Sequence, residues 1–178
     1  MGGYRGHLIT RLKATGYPSI MVGSVKDDQW GDHEGHNRWT IEDARAAVRP
    51  ALVAHGPHVL LVLIGTNDLI QPAATDESRS AAPNRMADLL EDIYSVVPGA
   101  TVLVGTLPLN LPVADLYNAA LRRVVEAHSI TGRHVRLVET GAVSRAHLSD
   151  GVHPNDRGYQ RVSEAWYHAI TELAHGPF

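Results

Sequence analysis

Hydrophobic residues along the chain follow two patterns: short continuous runs, and longer stretches in which they recur at helical spacing. The continuous runs occupy residues 19–24, 58–64, 100–106 and 135–138. Aliphatic runs bounded by turn residues are typical of strands, and strands buried on both faces belong to parallel sheets. We therefore predict four strands, and we expect the nearly continuous run at 58–64 to be buried on both faces.

Helical spacing of apolar residues predicts five helices, over residues 3–16, 40–52, 86–97, 113–129 and 159–173. Thr40 is suited to be the N-cap of the second helix. In the fourth helix, Leu116, Ala120 and Val124 lie on one face. In the last helix, an apolar stripe includes Trp166, which we expect to be buried beside the sheet.

Strands and helices alternate along the chain, which favours an α/β fold. We predict one domain over residues 1–178, a three-layer α/β/α sandwich with a parallel, flavodoxin-like sheet. The polar, turn-rich residues 25–37 are interpreted as a long loop, and residues 71–83 as a loop with weak local order. Ligands of such sheets bind beyond the carboxyl ends of the strands. Asn67 follows the strand predicted at 58–64, so it is a candidate site residue.

Composition excludes several classes of function. The chain has 178 residues, no cysteine and a formal net charge of −3. Disulfides, thiolate metal sites and a cysteine nucleophile are therefore excluded. The charge balance provides no basic surface for nucleic acid, and no apolar run has the length of a membrane span. We expect no cofactor. The compartment and the oligomeric state stay open.

The motif that carries the most chemistry is Ser149-Asp150-Gly151-Val152-His153-Pro154-Asn155. Asp150 and His153 lie three residues apart between a glycine and a proline. In a short loop this spacing allows the carboxylate to bind one imidazole nitrogen while the other stays available as a general base. The pattern is short, and a solvated loop that happens to contain Asp and His is the simpler interpretation of this motif taken alone.

Two further motifs precede this one, His33-Glu34-Gly35-His36-Asn37-Arg38-Trp39 and Gly65-Thr66-Asn67-Asp68. Together the three resemble the SGNH (GDSL-type) hydrolase family, particularly its small acetyl-xylan-esterase-like members. The resemblance extends over nearly the whole chain. It implies hydrolysis of acyl esters, with a small-molecule or carbohydrate ester as the substrate.

The resemblance also implies roles for individual residues. His153 would be the general base and Asp150 would orient it. The Asn67 side-chain amide would donate to the oxyanion, because an amide donates a hydrogen bond without a charge that would quench the base. Asp68 is expected to be structural and to bind nearby backbone amides. Trp39 and Glu34 are the candidate substrate-binding residues.

The chain departs from the family pattern at Arg38. The family has a glycine at this position, and its backbone N–H is an oxyanion donor. The N–H is kept in arginine, but glycine permits backbone dihedrals that arginine disfavours. Arg38 is therefore a candidate backbone donor, and its guanidinium could enter the acyl pocket or bind an acidic substrate.

The second departure is the nucleophile. The family's first motif, Gly-Asp-Ser, occurs nowhere in the chain, and the possible substitutes are Ser24, Ser144 and Ser149. Two interpretations remain open. In the first, which we favour because the first strand is central in the family's sheet, that strand and its serine lie upstream of Met1. Alternatively, the protein is a pseudoenzyme that binds an acylated or sugar ligand.

Two other possibilities are less favoured. His33 and His36 could suggest a metal, but their spacing in a loop is not that of a helical zinc motif, so we expect no metal site. A flavodoxin-like binder of small molecules, unrelated to ester chemistry, is the remaining alternative. The esterase interpretation makes one geometric prediction, namely that His153 faces the strand end that carries Asn67.

Overall fold

The computed structural model of the protein describes residues 3–141 and 143–174. Over these residues the chain is an α/β protein with a parallel sheet, as predicted. The elements in chain order are α1 (Tyr4–Ala14), α2 (Ile41–His55), β1 (Val59–Val62), α3 (Thr66–Ile70), α4 (Asp76–Ser80), α5 (Ala82–Val96), β2 (Thr101–Gly105), α6 (Pro112–Ser129), β3 (Val135–Val138), a 3-10 turn (Arg145–His147) and α7 (Asp156–Leu173).

The chain is divided into two compact units. Within the described residues, the first contains residues 3–35, 108–110, 138–141 and 143–174, and the second contains residues 36–107 and 111–137. The elements α1 and α7 belong to the first unit. The helices α2 to α6 and the strands β1 and β2 belong to the second.

The sheet of the second unit has the strand order β1-β2-β3. Strand β1 pairs in parallel with β2, with Val59 opposite Thr101 and Val62 opposite Val104. The run at 58–64, now β1, was predicted to be buried on both faces, and this prediction is wrong. Val59 is 38% exposed, and the rest of β1 is half-buried. Within the described residues β1 has a strand partner on one side only, so its side chains have fewer neighbours than those of the buried strand β2.

Helices α2 and α6 begin within one residue of the predicted positions and α5 begins four residues earlier, and α6 buries a different row of residues. The Thr40 side chain and Asp43 form a capping box at the start of α2. In α6 the predicted face is wrong, since Leu116 is 74% exposed. The buried stripe of α6 consists of Ala114, Tyr117, Leu121, Val125 and His128. The predicted row recurs every four residues and the buried row every three or four, and packing against α5 decides which row is buried.

The stretch at 71–83 is more ordered than predicted. Two short helices, α3 and α4, lie on either side of a short connection. The Thr75 hydroxyl accepts a hydrogen bond from the Ser78 backbone N–H at 3.1 Å, which caps α4. The interpretation of 71–83 as a loop with weak local order was therefore wrong over α4, because a five-residue helix is too short for periodicity to reveal it.

In the first unit, α1 packs on α7. Leu8, Leu12 and Trp166 are buried, and the rings of Tyr4 and Trp166 lie 6.2 Å apart. The predicted burial of Trp166 is confirmed, and its position beside the sheet stays a prediction. Ion pairs join the two helices at the surface, where His7 contacts Asp156 at 3.1 Å.

The strand predicted at 19–24 does not form in this structure. Ile20 is 90% exposed, so the apolar run lacks the buried face that would stabilise a strand. Residues 25–37 form the predicted loop, closed by an isolated antiparallel bridge between Val25 and His33. Asp27 organises it by accepting backbone hydrogen bonds from Gln29 and Trp30. Across the described part of the chain, no helix combines the length and apolar character needed to cross a bilayer.

Candidate active site

The first part of the candidate site is the base loop, residues 149–155, in the first unit. The Asp150 carboxylate accepts a hydrogen bond from His153 Nδ1 at 2.7 Å, as the three-residue spacing predicts. Its other oxygen, Oδ1, accepts the backbone N–H groups of Val152 and His153 at 3.0 and 2.7 Å. One carboxylate therefore both shapes the turn and binds the ring.

These hydrogen bonds keep the Asp150 carboxylate ionised and place a hydrogen on His153 Nδ1. The backbone N–H of His153, followed by its ring and the Val152 N–H, holds the pKa of Asp150 well below its usual range. An ionised carboxylate can only accept hydrogen bonds, so His153 Nδ1 carries the hydrogen. In the neutral ring the lone pair then lies on Nε2, which is the arrangement that a general base requires.

Local backbone features hold the base loop in shape. Gly151 has φ 88°, in the left-handed region that glycine tolerates, and this allows the chain to turn between the acid and the imidazole. Leu148 and Pro154 form an isolated antiparallel bridge across the loop. Asn155 ends it by capping α7, where its side chain accepts the Gly158 N–H at 3.1 Å.

The dyad is open to solvent. The His153 side chain is 70% exposed and that of Asp150 is 57% exposed. A substrate can therefore reach the ring from solvent without rearrangement of the base loop. An exposed pair of this kind contributes little to folding stability, so its geometry is better explained by chemistry than by packing.

The second part is the amide site, which we define as Arg38, Trp39, Asn67 and Gln71 in the second unit. Asn67 lies in α3, and its Nδ2 donates to the Trp39 carbonyl at 2.9 Å. Gln71, which caps the end of α3, donates through Nε2 to the Arg38 carbonyl at 3.1 Å. An amide has two N–H hydrogens, so Asn67 keeps one for a ligand after binding Trp39. Sequence reasoning missed Gln71, which no motif marked.

Arg38 has the backbone conformation of the glycine that the family pattern would place there. Its φ is 64°, and among the described residues it is the one non-glycine residue with positive φ. Arginine adopts this conformation here although it disfavours it. The backbone strain at Arg38 is on the order of 1–2 kcal/mol. The two carbonyl hydrogen bonds from Asn67 and Gln71 support the segment in this shape.

Asp68 forms the scaffold of the amide site. Its carboxylate is buried, accepts the Ile41 N–H at 2.9 Å and binds Arg85 Nε and Nη2 at 3.1 and 2.8 Å. Asp68 therefore joins the start of α2 to α3 and α5 and fixes the helix that carries Asn67. The expected backbone contact of Asp68 is present. Arg85 was missed, because the sequence does not indicate which buried carboxylate an arginine of a helix will bind.

A cavity of about 310 Å³ adjoins the amide site within the second unit. Seven of its nine lining residues have side chains that can donate or accept hydrogen bonds. The lining residues are Thr40, Glu42, Asn67, Asp68, Gln71, Ala73, Ala74, Ser78 and Arg85.

The two predicted substrate-binding residues have different surroundings. The Trp39 ring stacks on His36 with centroids 3.7 Å apart and planes inclined by 14°. The Glu34 carboxylate accepts the backbone N–H and the hydroxyl of Ser24, both at 2.8 Å. Glu34 therefore holds Ser24 in the loop. The roles of both residues toward a substrate stay predictions.

Two of the serines considered as substitute nucleophiles have other partners. The Ser24 hydroxyl donates to Glu34 at 2.8 Å. Ser144 Oγ lies 3.0 Å from His147 Nδ1, but the Ser144 N–H and Arg161 Nε–H are directed at the two nitrogens of that ring. In the tautomer whose lone pair lies on Nδ1, that lone pair already accepts the Ser144 backbone N–H. The prediction that His153 faces Asn67 relates the two units and stays a prediction.

Comparison with known proteins identifies the family to which the chain belongs. Residues 3–161 match the GDSL-like Lipase/Acylhydrolase family, and the chain belongs to this family. The resemblance inferred from the three motifs is thereby confirmed.

Similar proteins include esterases of carbohydrates. A family 3 carbohydrate esterase of Clostridium thermocellum is 28% identical, with a TM-score of 0.85 over 99% of this chain and 90% of that one. A carbohydrate esterase family 3 structure from Talaromyces cellulolyticus shares the fold at 20% identity, with a TM-score of 0.84 over 96% of this chain and 90% of that one.

Among curated proteins, a multidomain esterase of Ruminococcus flavefaciens is 25% identical over 95% of this chain. The chain spans 26% of the length of that relative and 51% of the length of a second, from Acetivibrio thermocellus.

Proposed function

We propose that the protein is a serine ester hydrolase that removes small acyl groups, such as acetyl, from a carbohydrate or a similar alcohol. The observation that carries the proposal is the Asp150–His153 dyad, an exposed imidazole with Nδ1 held by an ionised carboxylate at 2.7 Å. Membership of a family described as lipases and acylhydrolases supports it, as do the carbohydrate esterases among the similar structures.

In this proposal the acyl group is transferred in two steps. A serine hydroxyl attacks the ester carbonyl while His153 Nε2 takes its proton, and Asp150 stays ionised and stabilises the imidazolium. The oxyanion accepts hydrogen bonds from the second Asn67 amide hydrogen and the Arg38 backbone N–H. His153 then returns the proton to the leaving alcohol, and water hydrolyses the acyl-enzyme by the reverse sequence of proton transfers.

The nucleophile of this mechanism is the part that the 178 residues do not contain. No Gly-Asp-Ser occurs among them, the Ser24 hydroxyl donates to Glu34, and the His147 nitrogen beside the Ser144 hydroxyl also receives the Ser144 backbone N–H. We propose that the serine is contributed by a Gly-Asp-Ser strand encoded upstream of Met1. Strand β1, half-exposed and paired on one side within the described residues, is the element that such a strand could join.

The test compares this chain with an N-terminally extended enzyme that carries the Gly-Asp-Ser of its source gene. We expect the extended enzyme to hydrolyse 4-nitrophenyl acetate and acetylated xylan, and this chain to be slower by about 10⁶-fold, because nucleophile and base act as a unit. If this chain alone hydrolyses the ester and Ser24→Ala abolishes the activity, the assignment of the nucleophile is wrong.

The alternative function is a binding protein that has lost its nucleophile, which the absence of Gly-Asp-Ser favours. It would bind acetylated sugars without cleaving them. The two functions are distinguished by the source gene, in which the enzyme requires Gly-Asp-Ser upstream of Met1 and the binding protein does not.

A further inference from the structure

The conformation of Arg38 is maintained against its own backbone preference. An L-residue with φ near 64° is strained, and glycine at the same position would not be. Strained residues persist where the surrounding structure holds them, and they concentrate at functional sites. Here Gln71 binds the Arg38 carbonyl, and Asn67 binds the next carbonyl along the chain. A side chain kept at such a position calls for an explanation beyond folding.

Contacts within the protein do not supply that explanation. Arg38 is exposed, and its guanidinium has no ion pair or hydrogen bond within residues 3–141 and 143–174. Other arginines of the second unit differ: Arg85 binds buried Asp68, and Arg45 lies among three carboxylates. The backbone of Arg38 is thus fixed to α3 while its charged group extends into solvent beside the amide site.

A guanidinium in this position can recognise a carboxylate. Its planar fork of N–H donors matches the two oxygens of a carboxylate, and it stays charged at any ordinary pH. The protein as a whole does not attract anions, since its formal net charge is −3. Selection of an anionic substrate would therefore depend on this local group.

We propose that Arg38 is a specificity residue that selects ester substrates carrying a carboxylate, such as acetylated uronic acid units, over neutral acetylated sugars. The inference rests on the proposed function, because it places the anion beside the ester that the enzyme cleaves. It concerns the side chain of Arg38, whereas the proposed contact to the oxyanion uses its backbone.

The kinetic test uses the extended enzyme and two matched substrates, a mono-acetylated methyl glucuronoside and the corresponding methyl glucoside. We expect kcat/KM to favour the glucuronoside by about tenfold or more, the scale of a hydrogen-bonded charge. Arg38→Gln should remove the preference and Arg38→Lys should retain part of it. Arg123→Gln removes an exposed charge from α6 and should leave the ratio unchanged. An equal ratio in wild type and Arg38→Gln would overturn the proposal.

A binding test separates this proposal from the proposed function. Methyl glucuronoside and methyl glucoside, both without acetyl groups, are titrated onto the 178-residue chain by calorimetry. We expect tighter binding of the glucuronoside, lost in Arg38→Gln and weakened by salt. If the extended enzyme cleaves no ester but this preference is present, the proposed function is wrong and the role of Arg38 is retained. If both sugars bind equally, the role of Arg38 is wrong whatever the activity.

Discussion

The base loop and the amide site differ in where their hydrogen bonds come from. In the base loop, Asp150 binds the ring and the backbone of a residue three positions away. In the amide site, Asn67 binds a carbonyl 28 residues away, and Gln71 one that is 33 residues away. The base loop is therefore specified by its own sequence, whereas the amide site exists only when α3 is docked by the rest of its unit. Substitutions should separate the two.

The largest expected effect is loss of the base itself. In the extended enzyme, His153→Ala should lower kcat by about 10⁶-fold, because the nucleophile then has no group to take its proton. His168→Ala, an exposed histidine of α7, is the matched control and should leave kcat unchanged. Folding should be unaffected, since the His153 side chain is exposed. A residual activity above one hundredth of wild type would contradict the role of His153.

Next in size is Asp150→Asn, which tests the tautomer. The asparagine oxygen can still accept the two backbone N–H groups, but its amide would donate to His153 Nδ1 and move the ring hydrogen to Nε2. We expect kcat to fall by about 10⁴-fold with the loop intact. The exposed pair Asp156 and His7 provides the control, because Asp156→Asn should have little effect on kcat.

The contribution of Asp150 to folding stability should decrease at low pH. Since the pKa of Asp150 is lowered by folding, its stabilising contribution is present above the pKa of an unfolded aspartate and is lost as the pH falls through the lower folded value. The carboxylate should therefore stay ionised throughout the neutral and mildly acidic range. An NMR titration of its carboxyl carbon that moves between pH 4 and 6 would contradict this.

The scaffold of the amide site should matter for stability. Asp68→Ala leaves Arg85 without its anion and removes the cap on Ile41, so the free energy of unfolding should fall by about 3–5 kcal/mol. Asp76→Ala removes a fully exposed partner of Arg79 and should cost less than about 1 kcal/mol. Denaturant unfolding of this chain measures both. Equal costs would mean that Asp68 does not hold the scaffold.

Asn67→Ala should lower kcat by about 10²–10³-fold in the extended enzyme, the effect of losing one oxyanion donor. It also loses the hydrogen bond to the Trp39 carbonyl. Gln71→Ala is the matched control, because it loses the equivalent bond to the Arg38 carbonyl and no proposed donor. If both variants lower kcat equally, Asn67 acts by positioning residues 38–39, and its role as an oxyanion donor is contradicted.

The smallest expected effect concerns the backbone of Arg38. Arg38→Gly relieves a strained φ, whereas Asn37→Gly, outside the left-handed region, only adds freedom to the unfolded chain. Arg38→Gly should therefore be more stable than Asn37→Gly by about 1 kcal/mol. Thermal unfolding of the two variants gives the difference, and the opposite order would show that the arginine side chain stabilises the fold.

Sequence reasoning predicted the elements that repeat a pattern over many residues. The helices now seen as α1, α2, α5, α6 and α7 and the strands β1 to β3 were predicted in order. It failed where neighbouring elements decide the outcome. The apolar run at 19–24 is exposed at Ile20, and α6 buries Tyr117 and Leu121 in place of the predicted row.

The sequence by itself determined the Asp150–His153 pair, because a carboxylate that binds its own turn needs only three residues and a glycine with φ 88°. The tertiary structure decided the rest. It placed Arg85 on Asp68, and Gln71 and Asn67 on the carbonyls of residues 38 and 39, through contacts 17 to 33 residues apart. It also gave Arg38 a left-handed backbone that its own preference opposes. Such contacts depend on which helix faces pack together, and periodicity shows that a face is apolar without identifying its partner.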